Sequence, residues 1–479
     1  MPLKILISGG GIAVLSLEYN LSNATLKSTS NPNSTFEINI TLIERHPTLR
    51  VSGLQIDLRR HAIKVLKRMG LEKRYREKVV DEKGLMFVDE SGRERAFFGA
   101  GKNGGKKDEG EDGEGEGVQG FSTDWEIMRG DLCRLLYGGI DKDGRRNTEC
   151  RFGVWIVELV DQGDDGVRVT FSDGTQEVFD LVVGADGIGS GVRRLMFGGD
   201  QHIPSPSELA GSGSGSGSGL GTESKSELSS SDLFVHSLGN KEGDPYTARI
   251  HLSTSRRILF TRRHSPQAYR IYIILVTSHP RMVGAKRGDV SAEKSAMAEI
   301  LRGAGWEADE IIHLMNDADD FYCEHLGVVR LDTWSQGGVV LVGDAAYVPS
   351  ATTGMGSSSA LVGSYVLAGE IIKHCSSSTG SSSDFSKREN IKQALKSYED
   401  TFRPFMADVQ EGIERGSTYW NKIPSSRVGV AIVYFVLGVV SFLRLDVLAN
   451  CFIREGATTG WGLPGYGGLE HRVVRDWVD

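Results

Sequence analysis

An apolar strand that runs straight into glycines and then into a helix constrains this chain more than any other feature. Ile5, Leu6 and Ile7 read as the strand, Gly9, Gly10 and Gly11 as the turn, and Ile12 to Leu21 as the helix. Glycines let the backbone turn sharply and come close to a pyrophosphate, whose charge is then met by free N–H groups and the positive end of the helix. The pattern predicts a bound dinucleotide. The usual fingerprint is Gly-x-Gly-x-x-Gly, and here Gly9 and Gly11 are followed by Val14 at the third position, where a small residue normally allows tight helix-to-strand packing. Alone, the motif does not separate a dinucleotide site from an ordinary α/β turn.

The next strand adds a second mark. Phe36 to Ile43 alternates and ends as Thr41-Leu42-Ile43-Glu44-Arg45. A carboxylate at that tip accepts hydrogen bonds from the adenosine ribose hydroxyls in a dinucleotide fold, which makes Glu44 the candidate. Glu44 comes later than the usual ~20 residues after the glycines, and the polar insertion Ser28 to Thr35 accounts for the excess.

Two further strand-to-glycine-turn-to-helix passages follow. Leu181 to Val183 is a buried strand that delivers Asp186 to the turn Gly184-Ala185-Asp186-Gly187 before another helix. A carboxylate there is placed to meet a ribityl chain or a nicotinamide ribose. Val339 to Val342 empties into Gly343-Asp344-Ala345-Ala346-Tyr347, then Gly354, Met355, Gly356 and Ser357, and a long small-residue helix. Between these passages lies Ile127-Met128-Arg129-Gly130-Asp131-Leu132, which starts a helix, and Arg59 and Arg60 stand near the start of an amphipathic helix, Ala62 to Met69.

The rest of the chain supplies a β-rich lobe and linkers. Leu85 to Val88 and Arg95 to Phe98 flank Glu90-Ser91-Gly92 as a hairpin, and Tyr246 to Leu252, Arg257 to Thr261 and Tyr269 to Val276 read as further strands. Arg151 to Leu159 and Val328 to Leu331 are also expected as strands. Residues 101–117, 203–232 and 374–386 are low-complexity loops, the second with an alternating Gly-Ser run from Gly211 to Gly219. Val428 to Leu443 carries no charge between Arg427 and Arg444. Such a run is shorter than the ~20 residues a spanning helix needs, so it is expected as a helix docked on the core, with weak membrane association through 428–443 as the other reading.

Bulk properties exclude several classes. A chain of 479 residues is long enough for two lobes and an ample core. Its 55 Lys and Arg against 63 Asp and Glu, net charge -8, argue against a nucleic-acid binder. Five scattered cysteines without a Cys-x-x-Cys pair suggest neither a disulfide framework nor a metal site, and fit a reducing, cytoplasmic setting. The apolar N-terminus carries the glycine turn and reads as structure, not as a secretion signal.

The ordered set Gly9-x-Gly11 with Glu44-Arg45, Arg129-Gly130-Asp131-Leu132, Gly184-Ala185-Asp186-Gly187, and Gly343-Asp344-Ala345-Ala346 with Gly354-x-Gly356 resembles the FAD-dependent aromatic hydroxylases, the para-hydroxybenzoate hydroxylase-like monooxygenases, over nearly the whole chain. The resemblance implies a Rossmann-like α/β FAD-binding domain of the glutathione reductase type, an interleaved β-sheet substrate domain and a C-terminal helical region. It implies that Gly9 and Gly11 hold the FAD pyrophosphate, Glu44 the adenosine ribose, and Arg129 the FAD as well. Asp344 would contact the ribityl-pyrophosphate, and the backbone of Gly354, Gly356 and Ser357 would face the isoalloxazine. Asp186 would serve both FAD and NAD(P)H, with Arg45 and Arg59 near adenosine and flavin. Three departures stand out: Val14 for the third glycine, Tyr347 where many members have histidine, and Ala351 where many have a proline.

On that resemblance the FAD-binding domain is discontinuous, 1–84, 120–202 and 326–420, the substrate lobe is 85–100 and 233–325, and 421–479 is a C-terminal helical tail. NAD(P)H would reduce FAD, and O2 would be taken up as a flavin C4a-hydroperoxide that hydroxylates a small hydrophobic, aromatic or polyketide-like substrate. No metal is needed, and no catalytic residue can be named; His251 and His264 in the strand region are weak candidates for a base. A membrane-associated flavin epoxidase and a catalytically degenerate flavin-binding scaffold are the alternatives.

Overall fold

The computed structural model of the protein describes residues 2–29, 36–51, 53–99, 125–141, 148–198, 228–236, 246–265, 268–275, 281–282, 289–318, 320–326, 328–349, 354–376, 386–421, 423–444, 460–467 and 469. Aliphatic runs at Leu3–Ser8, Leu181–Gly184 and Val339–Leu341 are buried except at Lys4, as strands of a parallel sheet covered on both faces are. With Ile38–Glu44, Thr148–Phe152 and the short Ser335–Gln336 they form a six-stranded sheet. Leu3–Ser8 is central, with Leu181–Gly184 then Val339–Leu341 on one side and Ile38–Glu44 then Thr148–Phe152 on the other. All these pair in parallel, and only Ser335–Gln336 is antiparallel. Helix Ile12–Thr29 packs against helix Gly356–Ser376, joining the sheet in the largest core cluster. Parallel strands all empty on one edge, so the three glycine turns gather there, where open α/β sheets bind ligands.

The second sheet has seven strands in the order Asp320–Leu326, Leu228–His236, Ala268–Leu275, Arg257–Ser265, Thr247–Ser253, Gly84–Val88 and Glu94–Gly99. Period-two alternation splits its faces. Ile271, Ile273 and Leu275 pack with Met297, Leu301 and Ile311 of helices Val290–Leu301 and Ala308–Asp317. A ribbon of Gln55–Asp57 and Glu126–Met128 meets the other face, the Gln55 N–H donating to the Tyr272 hydroxyl at 3.0 Å. Ile156–Asp161, Val167–Phe171 and Gln176–Phe179 make a separate meander.

Several expectations change. Arg151 to Leu159 is two strands in two sheets, divided at Gly153, whose φ of 78° a glycine adopts without strain. Val328 makes only a single bridge to Pro349, and the strand of that region is Asp320–Leu326. The linker 203–232 stops early, because Leu228–His236 pairs on both sides with Ala268–Leu275 and Asp320–Leu326. Its serines look like loop in isolation, but two waiting ladders override composition. Residues 374–376 complete helix Gly356–Ser376. The tail 421–479 is helical at Arg427–Phe442, but residues 460–467 run without helix over the first core: Trp461 Nε1 donates to Thr401 O at 2.8 Å and the Tyr466 hydroxyl to Glu370 at 2.7 Å. The expected loop 101–117 and the run Gly211 to Gly219 lie outside the described residues. Among the described residues, no helix is long and apolar enough to cross a membrane.

Candidate functional site

The glycine turn is wedged between strand ends. The Gly9 N–H donates to Ile43 O at 2.8 Å, and the Ala185 N–H donates to Ser8 O at 2.9 Å. Gly9 has φ 125°, and a methyl group there would stand 2.6 Å from Ala185 O, so both conformation and space exclude a side chain. A methyl on Gly10 would stand 2.7 Å from Glu44 Oε2. The other Glu44 oxygen accepts from the His46 N–H at 2.8 Å, which fixes the carboxylate beside the turn. Arg129 reaches the same turn: its Nη2 lies 3.7 Å from the Cβ position of Gly11, while Nη1 donates to Arg50 O at 3.2 Å. Arg45 is exposed at the strand tip beyond Glu44. Val14 is fully buried in the first core, so the layer between helix and sheet admits its isopropyl group.

Asp186 is occupied locally. Its Oδ1 accepts from the Ser190 hydroxyl at 2.5 Å, and Oδ2 accepts from the N–H groups of Gly191 and Val192 at 2.7 and 3.2 Å, which caps helix Gly191–Phe197. Arg193, from the same helix, is buried and donates to Ala345 O at 2.8 Å and to Ile188 O, clamping the second and third glycine turns together. Burial lowers the affinity of its guanidinium for the proton, and Asp186 opposes that shift. Arg193 carries no motif of its own; its nearest signal in the sequence is its place in the helix after the buried strand Leu181–Gly184. Asp344 is exposed on the turn Gly343–Ala345.

Tyr347 points away from the crevice. It is buried against Trp334 and Phe402, with ring centroids 4.7 and 5.2 Å away, and accepts from the Tyr398 hydroxyl at 3.0 Å. Burial pushes its phenol well above the ordinary value, so it stays protonated. Gly363 makes room for it, since a methyl there would overlap the Tyr347 hydroxyl.

The other end of the crevice is built on Arg59. Its N–H donates to Ser358 Oγ at 3.0 Å, its Nε donates to Asp57 at 3.3 Å, and its Nη2 lies 3.4 Å from the Cβ position of Gly354. Gly356 and Ser357 open helix Gly356–Ser376, and space around Gly356 is open among the described residues. The first N–H groups of such a helix lack intrahelical partners and present positive charge. Ala351 lies outside the described residues.

Facing this end, the ribbon and the seven-stranded sheet share a buried charge cluster that no motif announced. Arg262 donates through Nε and Nη2 to both oxygens of Glu82 at 2.8 Å, and through Nη2 to Glu126 Oε2 at 2.6 Å. Gln55 Nε2 donates to Glu126 at 2.7 Å, and Gln55 Oε1 has no hydrogen-bond partner among the described residues. Burial pushes the Glu82 carboxyl above its ordinary value; Arg262 opposes this and Glu126 adds to it. His251 is buried with Nδ1 3.1 Å from Val88 O and Nε2 3.0 Å from Ala304 O, which ties a strand end to a loop. The side chain of His264 lies outside the described residues. No group of histidine, cysteine and carboxylate side chains suited to a metal occurs among the described residues.

The chain matches no family model. It is 37% identical over 473 residues to the FAD-dependent monooxygenase asL4 of Sarocladium schorii, an alignment covering 97% of this chain and 99% of that protein. Its fold is similar to the tetracycline destructase Tet(55), with TM-score 0.68 and 24% identity over 97% of this chain and 98% of that one. It is also similar to Klebsiella pneumoniae HpxO complexed with FAD and uric acid, with TM-score 0.59 and 14% identity over 94% and 96% of the two chains.

Proposed function

Because the chain belongs to the FAD-dependent monooxygenases, we propose that the crevice from Glu44 to Ser357 holds the FAD, that NAD(P)H is the electron donor, and that O2 is used on a small hydrophobic, aromatic or polyketide-like molecule. Residues at both ends of the crevice support this reading. Gly9 and Gly11 leave backbone room and N–H groups for the pyrophosphate, Glu44 stands where a ribose hydroxyl donates, and Arg129 supplies a cation beside the turn. Arg45 extends the adenosine side. In this reading Asp344 serves the ribityl chain and Arg59 with Gly354, Gly356 and Ser357 borders the ring, which the closeness of Arg59 to Gly354 and Ser358 supports. Asp186 serves FAD and NAD(P)H in this reading, and its oxygens also hold the turn to the helix behind it.

When bound, FAD supplies the redox chemistry, taking electrons from a nicotinamide and passing them to O2. The chain's residues bind, orient and exclude water. Residues 1–84, 120–202 and 326–420 carry the cofactor, and 85–100 with 233–325 cover the substrate. The substrate then lies between the crevice and the seven-stranded sheet, the usual position for a ligand between lobes. Tyr272 and Phe260, with ring centroids 5.2 Å apart, offer it an aromatic wall, and Gln55 Oε1 offers a buried acceptor for a hydroxyl. The similar folds of a tetracycline destructase and of a uric acid complex support a compact ring-bearing substrate. We place the protein in the cytoplasm on its scattered, odd cysteines.

The observation that carries this reading is the convergence of Gly9, Glu44, Arg129 and the Ala185–Asp186 turn on one edge of the parallel sheet. The test is an absorbance spectrum of the purified protein with added FAD, then NADPH and NADH oxidation in air. Bound flavin and substrate-stimulated nicotinamide oxidation coupled to an oxygenated product are expected. Protein that binds no flavin would overturn the site assignment.

A further inference from the structure

Helix Arg427–Phe442 is held by one face and bare on the other. Val430 and Tyr434 are buried against Leu252 and Ile258 of the seven-stranded sheet. The Tyr434 hydroxyl donates to Val88 O at 2.6 Å and accepts from the Leu252 N–H at 2.8 Å, and Ser441 Oγ bonds both the N–H and the carbonyl of Phe97 on the edge strand. Those bonds fix the helix flat along the sheet edge. On its outer side Val428, Ile432, Phe435, Val439, Phe442 and Leu443 recur at helical spacing, with Val428 71%, Phe435 73% and Phe442 87% exposed. A contiguous apolar stripe of this size is unusual on a water-facing surface and marks an interaction site.

The surroundings of the stripe select the partner. Exposed Arg427 and Arg444 stand at its two ends. A groove of about 810 Å³ beside it is lined by Phe435, Val439 and Phe442 together with Arg93, Arg95 and Arg427. Asp89, held below its ordinary value by backbone N–H groups and Arg95, and Glu90 are the acidic groups in that groove. An apolar stripe rimmed by an excess of arginines, on a helix too short to span, has the make-up of a surface that lies in the headgroup region of an anionic membrane.

We propose that the outer face of helix Arg427–Phe442 docks on an anionic phospholipid surface, with Phe435 and Phe442 among the acyl chains and Arg427, Arg444 and the Arg93–Arg95 hairpin at the headgroups. The inference goes beyond the oxygenase reading and does not depend on it, since lipid binding is read without turnover. It would give the enzyme access to an apolar substrate dissolved in lipid.

The test is co-flotation of the full chain with vesicles of phosphatidylcholine alone and of phosphatidylcholine with phosphatidylserine. Binding is expected with the mixed vesicles and weakly or not at all with the neutral ones. Phe435→Ser with Phe442→Ser should lower binding about tenfold or more, as loss of buried aromatic surface requires. Arg427→Gln with Arg444→Gln should lower it about fivefold or more on the anionic vesicles only. The melting temperature and flavin content of each variant, unchanged from the parent, separate lost docking from lost fold. Absence of binding to both vesicle types overturns the proposal. So does equal binding to both, or a stripe-dependent dimer in vesicle-free solution that the phenylalanine variants dissolve, which would assign the face to a second copy of the chain.

Discussion

At the edge of the parallel sheet the chain is held by closeness of backbone: Gly9 has no room for a methyl beside Ala185 O, and the Glu44 carboxylate overhangs Gly10. Across from it, the ribbon and the seven-stranded sheet are held by charge, with Glu82 and Glu126 sharing the single guanidinium of Arg262. The first arrangement depends on residues with nothing to offer but their backbone. The second depends on three long side chains that come together from Glu82, Glu126 and Arg262, far apart in the chain. A constraint on backbone conformation is written locally and leaves a motif; a constraint on side-chain pairing is written nowhere in particular.

Breaking the charge side should have the largest effect on stability. Arg262→Ala leaves two buried carboxylates without their cation, a loss of about 3–5 kcal/mol, measurable as a fall in the urea midpoint. A variant within error of the parent would mean that water or another cation serves the pair. On the backbone side, Gly9→Ala places a side chain at φ 125° and 2.6 Å from Ala185 O. It is expected to cost about 1–3 kcal/mol in strain and to abolish tight FAD binding, which isothermal titration would read directly. Unchanged FAD affinity in a folded Gly9→Ala protein would move the pyrophosphate elsewhere.

Glu82→Gln sharpens the contrast through pH. Burial raises the folded-state value of Glu82 above its unfolded value of 4.5. Its contribution to stability is therefore fully present below 4.5 and is lost as pH rises through the raised value. The glutamine variant lacks that loss, so its stability relative to the parent should improve from pH 4.5 upward. Urea melts across that range check the sign; a difference that stays flat or falls would overturn the raised value of Glu82. The smallest change in stability is expected from Gly356→Ala, because among the described residues nothing beyond the chain neighbours and the helix's own backbone lies within 4 Å of the added methyl. Stability should stay within about 0.5 kcal/mol of the parent, while FAD affinity falls because the methyl enters the space assigned to the ring. Equal FAD affinity would remove Gly356 from the flavin site.

Reading motifs reached the three glycine turns and their acids, and it reached them because each is a short passage with a fixed backbone task. Glu44 beside Gly10, Arg129 beside Gly11 and Arg59 beside Gly354 are neighbours in space. The reading went astray where partners decide. Leu228–His236 is serine-rich and becomes a strand only because two neighbours pair with it. Tyr347 stood out as a departure at the site, yet its ring lies in the aromatic core beside Trp334 and Tyr398, and Gly363 is the residue that answers it. The Asp186 carboxylate also accepts from the helix that follows it, a partnership that no motif announced. Val428 to Leu443 announced a helix by its lack of charge, but which half of it faces water depends on where Tyr434 and Ser441 find partners.

By itself the sequence determined a parallel sheet with three glycine turns and the acids that accompany them, because strand period and glycine conformation are properties of a few consecutive residues. Tertiary structure alone decided which N–H groups the Asp186 carboxylate meets, where Arg262 meets Glu82 and Glu126, and which face of the last long helix is left bare. Those outcomes depend on burial and on partners distant in the chain, and desolvation acts on a side chain only once the rest of the fold has closed around it.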